Sequence, residues 1–280
     1  MDWLIFTLIA TVFWAVGAVI DKYILTKHMR DPFSYQLFLI IVEAPVMLIL
    51  LLTSVSAALP WSLLGIVGGL CMYPGFILYF KAMAIEESSR VISLWYTGVI
   101  FVQIFAYVFL EEKFSLPSYL GILLLVLSAM IVSYRKEKGR KPVVSPALGL
   151  ILTSGLVFAG YEVFTKHVLG ALDYFSYLFW NFVGTAILGL TLFCFPKIRH
   201  NFLSDIQRVN RTVLLWRIIN TSMGLIGTVF YYIAISSGPV SLVSAAGSLE
   251  PFFVFVITLL LSLFVPRILK EETGKKVVAV

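Results

Sequence analysis

The chain is short of charge, cysteine and histidine. Only 13% of its 280 residues are Asp, Glu, Lys or Arg, while 60% are hydrophobic. A soluble domain of this length has far less apolar content, so a soluble fold is excluded. The net charge of +6 does not point to nucleic acid, because the basic residues fall between apolar runs. Two cysteines, Cys71 and Cys194, lie inside such runs and read as small core residues. The three histidines, His28, His167 and His200, fall near run ends or in a loop. There is no HExxH, no GxSxG with partner residues and no Walker loop. Catalytic and metal sites are therefore not expected, and neither is a cofactor. Any energy source used by this chain is a gradient.

What is present is long apolar sequence. Runs fall at 3–25, 33–53, 62–85, 91–110, 116–134, 147–169, 174–195, 212–235 and 240–265. Each is near the roughly 20 residues that a helix needs to cross a bilayer. The runs are continuous rather than alternating, which predicts helices that close their own backbone hydrogen bonds. An all-α, polytopic membrane protein with nine visible spans follows. Residues 1–25 lack a basic start and a small-residue cleavage pattern, so the first run is expected to remain as a span.

The second half of the chain copies the first. Phe33-Ser34-Tyr35 returns as Phe175-Ser176-Tyr177, and Ala84-Ile85 returns as Ala234-Ile235. The boundary predicts repeats of 1–141 and 142–280. Five spans in the first repeat make the second start on the opposite side, so the repeats are inverted, a geometry that supports alternating access. The second repeat shows four spans. A tenth is expected after Val280, either cut off or lost.

Charge sets the expected orientation. Of 21 Lys and Arg residues, only Lys113 and Lys166 fall on the side that holds the amino terminus; the other 19 fall on the opposite side. Cytoplasmic loops collect Lys and Arg, which predicts a cytoplasmic face for loop 135–141 and an external amino terminus. Anionic lipid headgroups are a secondary reading of that basic loop.

Several short motifs carry a family resemblance. Phe13-Trp14-Ala15, Tyr79-Phe80-Lys81-Ala82, Tyr231-Tyr232-Ile233-Ala234, Leu110-Glu111-Glu112-Lys113 and Ser248-Leu249-Glu250-Pro251 are similar to elements of the drug/metabolite transporter superfamily, specifically its EamA-type permeases. The resemblance implies a transporter of small organic solutes such as amino acids, metabolites or drug-like compounds in a prokaryotic plasma membrane. It also implies a central cavity between spans one to four and six to nine. Glu111 departs from the pattern, since that turn usually has Gly. The orientation expected from charge is opposite to the one usual in the family.

Polar groups inside the spans are the site candidates, because they are costly in lipid. Glu43 lies mid-span beside Pro45, Glu162 follows Tyr161, and Glu250 precedes Pro251. A lone carboxyl in hydrocarbon suits proton coupling; a hydrogen-bonded structural role is the alternative. Lys81 can snorkel to headgroups or meet an anion. Gln103, Asn181 and Asn220 should face other helices or a cavity. Trp14, Tyr79, Trp95, Tyr96, Trp180 and Tyr231 can line an apolar pocket, although packing is the commoner use of such rings. Trp3 and Trp61 fit the interfacial belt. The expected partners are a small-molecule substrate, the lipid bilayer and protons as coupling candidates, with the chain as monomer or homodimer. A facilitative uniporter or channel, a membrane enzyme and a non-transporting scaffold are the rivals.

Overall fold

The computed structural model describes residues 2–29, 31–52, 55–86, 88–116, 119–124, 127 and 146–264, and among them it contains helices and no strands. Leaving a backbone amide unpaired in hydrocarbon costs several kcal/mol, roughly ten times the spread of helix propensities between ordinary residues. Runs rich in Val, Ile and Thr are therefore helical here. The elements are α1 (Asp2–Lys27), α2 (Pro32–Leu51), α3 (Trp61–Ile85), α4 (Ser88–Trp95), a 3₁₀ turn at Tyr96–Gly98, α5 (Val99–Phe109), α6 (Pro146–Leu169), α7 (Tyr174–Phe193), α8 (Pro196–Arg208), α9 (Arg211–Ser237), α10 (Val240–Gly247) and α11 (Glu250–Phe264).

Among the described residues, seven segments are long and apolar enough to cross a membrane: α1, α2, α3, α6, α7, α9 and the joined α10–α11. The expected fourth span is not one rod. It is divided into α4, the 3₁₀ turn and a shorter apolar helix ending at Phe109. At that turn Gly98 meets the backbone of Gly155 so closely that a Cβ would lie 3.0 Å from the Gly155 Cα. The expected ninth span is also divided, at Ser248-Leu249. Pro251 cannot donate to Gly247 and its ring clashes with that carbonyl, so the helix restarts at Glu250. Most of the expected fifth span, 116–134, and everything beyond 264 lie outside the described residues.

The repeated Phe-Ser-Tyr marks a helix start. Asp31 caps α2, accepting from the Phe33 and Ser34 amides at 3.4 Å each and the Ser34 hydroxyl at 2.9 Å. Asp173 caps α7 more tightly, at 3.0, 3.0 and 2.5 Å for the matching donors. Burial pushes the Asp173 carboxyl up, but the hydrogen bonds from Ser176 and the Phe175 amide outweigh it and hold the group below the usual carboxylate range. Asn210 caps α9 through the Val213 amide at 2.8 Å.

Helix α1 packs along α9, and α3 packs along α6 and α7. The same pin fastens both halves. Lys22 of α1 donates to the Met83 and Glu86 carbonyls at the end of α3, at 3.0 and 2.8 Å. Lys166 of α6 donates to the Ile235 and Gly238 carbonyls at the end of α9, at 2.6 and 2.9 Å. An ammonium at a helix C-terminus meets orphan carbonyls and the negative end of the helix dipole. A shift of 152 positions carries Met83 to Ile235 and Glu86 to Gly238; it also carries Gly65 to Arg217, Gly68 to Asn220 and Tyr79 to Tyr231.

The buried apolar residues form two clusters. One gathers Ile24, Tyr35, Met83 and Ile92 towards the C-terminal ends of α1 and α3. The other gathers Tyr177, Phe182, Ile235 and Val243 towards the opposite end. Outside, large apolar side chains such as Leu48, Leu63, Phe109 and Leu190 are exposed, as expected for a surface that meets lipid. Cys71 and Cys194 stand on this outer surface rather than in the core. Lipid-facing and buried positions are equally apolar, so composition does not separate them. Helix α8 is amphipathic. Its Ile198, Phe202 and Ile206 join the core, while Lys197, Arg199 and His200 are exposed.

Candidate functional site

A cavity of about 190 Å³ lies between the halves, with walls from α1, α2, α3, the α4–α5 turn, α6, α7, α9 and the α10–α11 break. Both broken helices bring their breaks to it. Tyr96, in the first break, donates from its hydroxyl to Glu250 Oε2 in the second at 2.6 Å.

Ten of the thirteen residues singled out from the sequence stand on this wall: Trp14, Glu43, Tyr79, Trp95, Tyr96, Glu162, Asn181, Asn220, Tyr231 and Glu250. Glu43 and Glu250 are buried. Glu43 Oε2 accepts from the Thr185 hydroxyl at 3.2 Å. Glu162 lies beside the hydroxyls of Ser244 and Tyr231. Three stand elsewhere. Gln103 donates to the Ser241 carbonyl at 2.9 Å and ties α5 to α10. The Trp180 indole donates to the Ser56 carbonyl at 2.8 Å. Lys81 reaches over the Phe33 ring, 4.8 Å from its centroid.

Two charged groups on the wall were not singled out from sequence: Arg217 was counted only among the basic residues expected on the cytoplasmic side, and Asp21 was not weighed. Arg217 is 2% exposed, and its guanidinium sits 3.6 Å from Asp21, 3.7 Å over the Tyr35 ring and within a 3.1 Å hydrogen bond of the Tyr35 carbonyl. The Asn220 amide and the Tyr35 hydroxyl both donate to Asp21 Oδ1. This network joins α1, α2 and α9 at the end of the cavity nearer the α1 C-terminus. A signal was present: Asp21 and Arg217 both fall about one turn inside the expected ends of their spans on the same side, with opposite signs.

The other end of the cavity is lined by neutral hydroxyls and backed by tight packing. The Tyr161 and Tyr232 hydroxyls share a hydrogen bond, Thr165 bonds the Tyr177 hydroxyl at 2.7 Å, and the Asn181 amide donates to Tyr161 at 3.2 Å. Behind them α3 and α7 touch backbone to backbone. A Cβ on Gly69 would lie 2.0 Å from the Asn181 carbonyl, and one on Gly184 would lie 2.1 Å from the Ile66 carbonyl. No group of three or more His, Cys, Asp or Glu placed to hold a metal occurs among the described residues.

Comparison with known proteins agrees with this architecture. One solved crystal structure of a protein superposes with a TM-score of 0.68 at 15% identity, covering 94% of this chain and 88% of that one; at such identity the likeness shows the fold alone. No curated protein matches the chain. The EamA-like transporter family matches residues 1–134 and again residues 145–268. Two matching segments, together with seven membrane-length apolar helical segments and no strands among the described residues, agree with one another: the chain is a multi-pass membrane protein and belongs to the EamA-like transporter family.

Proposed function

We propose that this transporter moves a small organic solute through the central cavity by alternating access, with protons as the coupling ion. The repeats are 1–141 and 142–280, inverted relative to one another. One observation carries the reading: a cavity lined by aromatic rings and four carboxyls lies between the halves, and its two ends are built by different means. The α3–α7 end is shut by backbone contact through glycines. The α2–α9 end is held by the Asp21–Arg217–Tyr35–Asn220 network. Side-chain pairs can be parted and remade without unpacking two helices, so the charged end is the gate that opens from this state. Glu43 and Glu162 are the proton carriers in this reading. The basic loops are cytoplasmic, in a prokaryotic plasma membrane, so the charged gate faces the cytoplasm.

Purified protein in liposomes tests the reading. Candidate solutes should be moved faster with an imposed pH gradient, and Glu43→Gln or Glu162→Gln should abolish the gradient's effect. Flux indifferent to both would leave facilitative uniport, and an absence of flux for every solute would favour a scaffold. For orientation, a single cysteine placed at 135–141 in a chain lacking Cys71 and Cys194 should resist impermeant thiol reagents in intact cells. Labelling there overturns the assignment.

A further inference from the structure

The cavity wall carries more acidic than basic groups. Asp21, Glu43, Glu162 and Glu250 line it, and Arg217 is the sole Lys or Arg among the described lining residues. Arg217 is already engaged, by Asp21 at 3.6 Å and by the carbonyl and ring of Tyr35. Of the other three carboxyls, Glu43 still feels the field of Arg217, whereas Glu162 and Glu250 have no cation of the protein acting on them from the wall, and a buried anion is costly unless paired.

Two of the three stand where aromatic rings gather. Glu250 and Glu162 flank Tyr96 and Tyr231, and Glu162 Oε2 is buried with no hydrogen-bond partner. Trp95 packs against Tyr79, Tyr96 and Phe158 with centroids 5.2, 5.4 and 4.9 Å apart, and Trp14 meets Tyr231 at 4.8 Å. Ring faces attract cations, most strongly when water is excluded. A second, independent observation points to a guest. Two buried acceptors on the wall, Asn181 Oδ1 and Gln36 Oε1, have no donor, although their residues are 0% and 2% exposed. Trp95 Nε1 and Arg217 Nε are unpaired donors on the same wall, so the guest's body can also carry a hydroxyl or carbonyl. The surplus of carboxyls decides the sign of its charge.

We infer that the cavity binds an organic ammonium ion with an aromatic body, its nitrogen at Glu162 and Glu250 and its ring among Trp95, Tyr96 and Phe158. The inference deepens the transporter reading and rests on it for translocation, but not for binding.

The test uses the full chain in detergent and three probes that share a phenyl body: phenethylamine, phenylalanine and 3-phenylpropionate. Binding is read by calorimetry and by quenching of tryptophan fluorescence. Phenethylamine should bind, at least about tenfold more tightly than phenylalanine, and 3-phenylpropionate should not, because an unpaired buried charge on the wall discriminates by that much or more. Glu162→Gln should weaken the amine by about tenfold with the melting temperature retained. If that variant melts early, Glu250→Gln takes its place with the same expectation. No binding of the amine, equal or tighter binding of either carboxylate, or unchanged amine affinity in both variants overturns the inference. Liposome flux separates the two claims: an amine that binds but is not moved refutes transport of that amine and leaves the binding site standing.

Discussion

Helices α3 and α7 meet through Gly65, Gly68, Gly69 and Gly184, whereas α9 and α2, in the matching places of the second arrangement, meet through Arg217 and Asn220. The same 152-position shift relates Gly65 to Arg217 and Gly68 to Asn220, so one architectural seam is built twice with opposite chemistry. Glycine lets two backbones touch and gains dispersion along the whole contact. Arginine and asparagine hold the backbones apart and replace contact area by a few directed bonds. The first kind of seam has no side chain to release. The second depends on an ion pair and on hydrogen bonds that another partner can take.

The largest expected effect is at the charged seam. Arg217→Met leaves Asp21, which is only partly buried, without its cation, and should cost up to about 3–5 kcal/mol, the range for breaking a buried pair, read as a fall in melting temperature of the purified protein. Adding Asp21→Asn should recover part of that loss; no recovery would mean that Arg217 acts through packing rather than through charge. Next comes the glycine seam. Gly69→Val places a side chain where even a Cβ lies 2.0 Å from the Asn181 carbonyl, and forcing the helices apart should cost about 1–3 kcal/mol. A melting temperature unchanged by Gly69→Val would remove the distinction drawn here.

The caps sharpen the comparison on a smaller scale. Asp173 holds its three donors more closely than Asp31 does, so Asp173→Ala should cost about 1 kcal/mol and Asp31→Ala less. The Asp173 carboxyl is held below the usual carboxylate range. Its charge therefore contributes stability that is fully present above about pH 4 and lost as pH falls through the folded-state value. The melting difference between the natural chain and Asp173→Asn should shrink as pH is taken from 7 to 3. Smallest is a gain. Glu111 adopts φ 55°, in the left-handed region where a Cβ costs about 1 kcal/mol, and the EamA-type turn that this segment resembles usually has Gly there. Glu111→Gly should raise stability by about that amount. Glu112 must remain, because its carboxylate accepts from the Val240 and Ser241 amides at 2.9 and 3.1 Å and caps α10.

Much of the wall was legible because lipid makes isolated polar residues conspicuous: Glu43, Glu162, Glu250, Asn181 and Asn220 needed only their depth in an apolar run. Arg217 was obscured by the reasoning that orients the chain, which counts basic residues near a span end as cytoplasmic, and Asp21 escaped it because that count takes only Lys and Arg. Their burial arises from α1, α2 and α9 converging, and no single span records that. The breaks at Tyr96–Gly98 and Ser248-Leu249 sit inside unbroken hydrophobicity, so hydropathy could not show them. Pro251 marked the second, and only the close pass of Gly155 explains the first. Gln103 and Trp180 took the other use open to them, contact with a neighbouring segment rather than cavity lining. Both are polar groups at membrane depth whose hydrogen bonds are spent on a neighbouring backbone.

Lys22 and Lys166 fasten helix ends that lie at opposite extremities of the bundle. A tilt of α1 must carry the terminal turn of α3 with it, and a tilt of α6 must carry that of α9. Because α1 also lies along α9, and α3 along α6 and α7, the two lysines tether helices whose main packing partners belong to the other half of the molecule.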